Sequence, residues 1–245
     1  MREAADFLRA VTESPRNRQQ YRLLMIWIFA CARQEGWVDG NPVEAMRKTT
    51  APRQRERLTI DQFEAIRASA ELWLQKAMDL SLITLLRRED VCNLRFSDVH
   101  DDALWVVPGK TEDSTGARLK IRIGAELQAL LDRCRDDVVS PYLIHRLPER
   151  ARPREQRAES RVHHTQVLPE QLSRAFADAR DASGLFEGVE HPPTFHEIRS
   201  LGGKRYQDRG WTLAQVQALM AHASPDMTQQ YLAGHEVPWT YVTSG

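Results

Sequence analysis

From Thr194 to Tyr231 the chain reads TFHEIRSLGGKRYQDRGWTLAQVQALMAHASPDMTQQY, a string in which helical spacing and turn signals leave the backbone little choice. His196 and Arg199 stand three residues apart, so on a helix they share a face where an imidazole and a guanidinium can reach one anion. Leu213, Val216, Leu219 and Met220 follow at helical spacing and predict a helix from Thr212 to Ala221 with one side buried. His222 stands at its end. Ser224 before Pro225 is N-cap chemistry, which predicts a short helix through Met227 to about Tyr231. A helix-turn-helix of fixed length therefore brings His222 and Tyr231 close.

The 245 residues hold 42% apolar and 28% charged side chains, enough for one large or two modest domains with a sizeable core. Thirty-four basic residues balance thirty-four acidic ones, so local charge has to decide what the surface binds. Cys31, Cys92 and Cys134 are widely spaced and form no CxxC pair, which argues against a disulfide framework or a zinc knuckle and fits a reducing cytoplasm. The longest apolar run, Leu23 to Ala32, is too short for a bilayer, and no leader pattern opens the chain, so neither a membrane nor a secreted location is expected.

In chain order, Ala4 to Val11 reads as a short helix and Arg16 to Glu35 as a long one, with Ser14-Pro15 at its start and Gly36 at its stop. Leu23, Ile26, Trp27 and Phe29 would make an association hazard if exposed. Residues 1–46 are expected to be part of a helical domain. Residues 47–57 carry five basic groups, Arg47, Lys48, Arg53, Arg55 and Arg57, against Glu56 alone. A solvated linker and a strap along a phosphate backbone fit this run equally well.

Thr59 caps a helix, and a second is expected from about Leu72 to Leu86. Leu104 to Pro108 and Arg118 to Ile123 flank a turn-prone stretch and predict a hairpin with Lys110 at the edge of its loop. Ala125 to Arg135 reads as a helix with Leu127, Leu130 and Leu131 inward. His145 to His164, with six arginines and two prolines, reads as a loop mobile without a partner. Pro169 to Ser183 returns to helix before Gly184, and Val237 to Thr243 reads as a short terminal strand or arm, docked on its own core or carrying assembly contacts.

The ordered set HxxR, LMAH and Tyr231 resembles the second motif box of the tyrosine recombinase (phage integrase) family, and FHEIRSLGGKRY is most similar to its lambda-integrase-like branch. TLLRREDVCNLRFSDV, Thr84 to Val99, resembles the first box, with Arg87 on its arginine and Asp90 on its acidic position; Lys110-Thr111 resembles the KT of its lysine hairpin, which favours Lys110 over Lys120. Leu85 and Ala221 stand where the family often has glycine. The resemblance runs from about Thr59 to Tyr231 and implies a predominantly α-helical α+β catalytic domain at 58–245 with a small antiparallel hairpin or sheet. It further implies a linker at 47–57 that contacts DNA and a partial core-DNA-binding domain at 1–46.

A nucleophile attacking an anionic phosphodiester needs fixed positive donors on the nonbridging oxygens, and Arg87 and Arg199 have that chemistry. The resemblance implies that Tyr231 forms a 3′-phosphotyrosyl link, that His196 steers its proton, that His222 donates to a phosphate oxygen, that Lys110 protonates the departing 5′ oxygen and that Asp90 supports them. No metal or other cofactor is called for, the partner is double-stranded DNA, and the implied assembly is a homotetramer on it. Integration or excision of a mobile element follows as the expected activity. The alternatives are a DNA-binding remnant without efficient strand exchange, a relaxing topoisomerase built on the same residues, and a non-DNA phosphoesterase.

Overall fold

Ser14 and Pro15 set the start of the first long helix. The computed structural model describes residues 2–46, 56–109, 118–147 and 161–221, and the chain divides into two compact units, Met1–Gln54 and Arg55–Gly245. In the first unit α1 spans Arg2–Val11 and α2 spans Pro15–Gln34, with the Ser14 hydroxyl accepting from the Asn17 N–H and proline in the first turn, where a missing N–H costs nothing. Gly36 takes a left-handed φ of 71° just past the helix end. Arg22 is the buried charge among the described residues of this unit: its Nη2 donates to the carbonyls of Val43, Glu44 and Met46 at 3.2, 3.2 and 3.0 Å, tying the segment before residue 47 to α2. Leu23, Leu24, Trp27 and Ile28 stand exposed, whereas Ile26 and Phe29 are half-buried.

The second unit opens with α3, Ile60–Ala68, under a reciprocal cap in which Thr59 and Gln62 each satisfy the other's backbone N–H. The central α4, Leu72–Thr84, buries Trp73, Leu74, Ala77, Met78, Leu80 and Leu82. The expected helix to Leu86 stops two residues early because Leu85 turns left-handed, with φ 55°. There follow α5 (Arg88–Asn93), a 3₁₀ turn (Phe96–Asp98) and an antiparallel sheet in the order β1 (Val99–His100), β2 (Ala103–Val106), β3 (Leu119–Arg122). Strand β1 was not expected from sequence. It pairs through a two-residue turn, Asp101 and Asp102, both at positive φ as such hairpins require, and Trp105 then faces Lys120 across β2 and β3.

The chain continues through α6 (Ala125–Cys134), α7 (Pro169–Ala182), α8 (Glu197–Asp208) and α9 (Leu213–Leu219). Leu127, Leu130 and Leu131 are buried, as their spacing requires. Helix α4 lies at the centre, packed by α8, α6, α3, α5 and α7, so a predominantly helical body carries one small sheet at its side. His145 differs from the loop expectation: it is buried, bonded to the Tyr142 carbonyl at 2.7 Å and to Asp136 at 2.9 Å, and bridged to Gln166. No described helix is long and apolar enough to cross a membrane.

Candidate active site

Helix α8 is pressed against the end of α4 at Gly202. A Cβ on that residue would lie 2.5 Å from the Leu82 carbonyl oxygen and 2.5 Å from Leu85 Cδ2, so only glycine permits the approach. His196 is the cap residue of α8 rather than a member of it, and its carbonyl accepts from the Arg199 N–H at 3.3 Å, so the two remain one turn apart. Tyr206, one turn beyond Gly202, donates its hydroxyl to the Ile83 carbonyl at 2.6 Å; burial pushes that hydroxyl up from its ordinary range. It serves as a bolt between the helices.

Arg199 is 1% exposed, and its two terminal nitrogens donate to the carbonyl oxygens of Leu85 and Met220. Those carbonyls lie two residues before Arg87 and two before His222. One guanidinium thus stitches together the end of α4, the first turn of α8 and the end of α9, a fork geometry that lysine lacks. The two positions where the resemblance expects glycine prove to be the turns concerned: Leu85 at φ 55° and Ala221 at φ 49°. Leucine is tolerated at the first because its side chain is fully buried with Val216 and Met220. Left-handed backbone costs a non-glycine residue about 1–2 kcal/mol, and burying a leucine returns about 1.5–3 kcal/mol.

Asp90 is the second convergence. Its carboxylate accepts the Arg87 N–H at 3.3 Å and the Gly109 N–H at 3.1 Å, joining the start of α5 to the residue before Lys110. Burial raises its pKa, opposed by the Gly109 N–H and by the positive charges of Arg87 and Arg199, which therefore both reach this carboxylate electrostatically. Arg88, the neighbouring arginine, turns away to Ser173 on α7 at 2.8 Å and to Glu89. Arg87 Nη1 is buried and has no hydrogen-bond partner among the described residues, the condition of a donor suited to an anion.

The structure thus brings Arg87, Asp90 and Arg199 together. Lys110, His222 and Tyr231 lie outside the described residues, as do Arg47, Lys48, Arg53 and Arg55. Arg57 is described, and its Nη1 pairs with Glu197 Oε2 at 2.9 Å. Glu197, Gly202 and the carbonyls of Leu85 and Met220 escaped sequence reasoning. Only the adjacent glycines inside a helical pattern signalled a close approach there. Among the described residues no group of three or more His, Cys, Asp or Glu side chains could hold a metal ion.

Residues 56–236 match the phage integrase family. The chain is 34% identical over 230 residues to the integrase of Escherichia phage HK022, covering 89% of this chain and 58% of that protein. It is 32% identical over 262 residues to the integrase of Enterobacteria phage P21, covering 98% and 63%. It therefore spans about three fifths of the length of these curated relatives. Among solved structures it is similar to a lambda integrase (75–356) dimer bound to a COC′ core site, with TM-score 0.80, 28% identity, and coverage of 99% of this chain and 82% of that one. It is also similar to a lambda integrase tetramer bound to a Holliday junction, with TM-score 0.79, 27% identity, and coverage of 99% and 67%.

Proposed function

The chain belongs to the phage integrase family, and on that premise we propose that it is a site-specific DNA recombinase that cleaves and rejoins strands through a 3′-phosphotyrosyl intermediate. The observation that carries this reading is geometric: Asp90 accepts the Arg87 N–H, Arg199 is forked onto the Leu85 carbonyl two residues before Arg87, and Arg87 Nη1 is buried with no hydrogen-bond partner among the described residues. The Arg199 guanidinium held by two backbone carbonyls, and an Arg87 backbone held by the Asp90 carboxylate, are preorganised for the charge that spreads over a phosphate in the transition state.

The Tyr231 hydroxyl, with a reference pKa of about 10, attacks the phosphorus in this cationic setting while His196 steers its proton. His222 donates to a nonbridging oxygen and Lys110 protonates the departing 5′ oxygen. The phosphotyrosyl bond conserves the energy of the broken phosphodiester, so attack by a different 5′ hydroxyl completes exchange without ATP. The partner is double-stranded DNA at recombination sites in the bacterial cytoplasm and nucleoid, where the protein acts as a homotetramer in integration or excision. The DNA-bound lambda integrase dimer and tetramer support this assembly. Residues 1–46 belong to a core-DNA-binding domain, 47–57 to a linker along the DNA backbone, and 58–245 to the catalytic domain.

The test is covalent trapping. The protein is incubated with nicked duplexes from the ends of its own genetic element, and SDS-resistant adducts are compared for the parent and Tyr231→Phe. An adduct that disappears with Tyr231→Phe is expected. DNA binding without any adduct would overturn the recombinase reading in favour of a binding remnant.

A further inference from the structure

Arg57 sits at the end of the basic linker, yet its guanidinium turns inward. Its Nη1 lies 2.9 Å from Glu197 Oε2, with the two side chains 18% and 5% exposed. Glu197 is the first residue of α8, between His196 and Arg199. The N–H groups of Glu197, Ile198 and Arg199 are held by the carbonyls of Thr194, Phe195 and His196 at 2.9, 3.2 and 3.3 Å. Three-residue hydrogen bonds of this kind have poorer geometry than α-helical ones. A buried carboxylate in that turn, next to His196 and two residues before Arg199, is thus clamped by a side chain 140 residues away in sequence.

We propose that Arg57 and Glu197 are a positioning pair, which anchors the first turn of α8 to the end of the linker and so sets the placement of His196 and Arg199. Arg57 is thereby removed from the phosphate-contacting set of the linker, while the linker gains a mechanical connection to the catalytic helix. The proposal rests on the recombinase reading above for its consequence in catalysis, but not for the pair itself.

The test uses the full chain with Arg57→Met, Glu197→Gln and the charge swap Arg57→Glu/Glu197→Arg. Adduct formation is timed at saturating nicked duplex, well below each variant's melting temperature, and affinity is measured across a salt series. Both single variants are expected to slow the covalent step about 10- to 100-fold, the range that small misplacements of a reacting group produce. The slope of log Kd against log salt should stay unchanged, because a lost phosphate contact would lower it by about one. Recovery of the rate by the charge swap adds support. Glu197→Gln keeps size and hydrogen-bonding capacity and removes no cation, so it remains decisive where the swap folds poorly.

A salt slope reduced by about one in Arg57→Met, together with an unchanged rate in Glu197→Gln, would overturn the proposal and return Arg57 to the DNA backbone. Lower melting temperatures with unchanged covalent rates would overturn it too, leaving only a structural ion pair. Should the parent form no adduct, the recombinase reading fails separately. Amide hydrogen exchange at residues 197–200 without DNA then decides the pair: faster exchange in both single variants supports it, and unchanged exchange overturns it.

Discussion

Gly202→Ala is the sharpest probe of how the site is built. Alanine is the better helix former by about 1 kcal/mol in a helix interior, so an isolated α8 would welcome the change. In the folded protein the new methyl would lie 2.5 Å from the Leu82 carbonyl oxygen and from Leu85 Cδ2, and 3.3 Å from the Leu82 carbonyl carbon. The leucine tip can rotate aside; the carbonyl belongs to the backbone of α4 and cannot. Ordinary contact is about 3.5 Å, so the two helices must part by about 1 Å. Overpacking of this kind costs about 1–3 kcal/mol, which against the propensity gain leaves a net loss of up to about 2 kcal/mol. For a domain of this size that lowers the melting temperature by up to about 8 °C. The same displacement carries the Leu85 carbonyl away from Arg199, so the trapping assay should show a slower covalent step as well. Gly40→Ala, with nothing within 4 Å of the added carbon, is the control and should melt with the parent. A Gly202→Ala protein as stable as the parent, with an unchanged cleavage rate, would refute the argument that this approach positions the site.

Leu85→Gly should destabilise by about 1–3 kcal/mol in a thermal melt despite relieving a left-handed backbone, since the buried leucine contacts with Val216 and Met220 outweigh the strain. Ala221→Gly, where only a methyl is lost at φ 49°, should instead stabilise by about 0.5–1 kcal/mol. Arg199→Lys cannot bond both the Leu85 and Met220 carbonyls; leaving one buried acceptor unmatched costs about 1–3 kcal/mol, and the adduct rate should fall by about 100-fold or more. At Asp136 burial opposes ionisation, but hydrogen bonds from Lys76, His145 and the Val138 N–H prevail and hold the carboxyl far below the usual carboxylate range. A depressed folded value stabilises above the unfolded carboxyl pKa of about 4 and loses that contribution as pH falls further. Asp136→Asn should therefore melt lower than the parent at pH 7, with the gap closing as pH is lowered below about 4 in a pH series of melts.

Features whose causes act within a few residues could be read directly from the chain. Ser14-Pro15, Thr59 with Gln62, and Thr212 with Gln215 mark where helices start because a cap and its N–H lie two or three residues apart. The inward face of α6 follows from Leu127, Leu130 and Leu131 for the same reason. The family was legible too, from the order and spacing of the motif residues. Strand β1 was not, because two residues form a strand only when β2 lies beside them.

Tertiary structure alone decided how the motif residues are held. Neighbouring arginines 87 and 88 are alike in sequence; packing sends Arg88 to Ser173 on α7 and leaves Arg87 beside Asp90. Leu85 reads as a misfit until Val216 and Met220, more than 130 residues on, enclose its side chain. Arg57 reads as one more linker cation, yet it finds Glu197 at a separation of 140 residues. Arg199 reads as a ligand for an anion, and its fork also ties together the carbonyls of two left-handed turns. Local rules choose helices and turns because their hydrogen bonds close within a few residues; a buried charge takes whichever partner the packed core places within reach, and that is settled only when the helices meet.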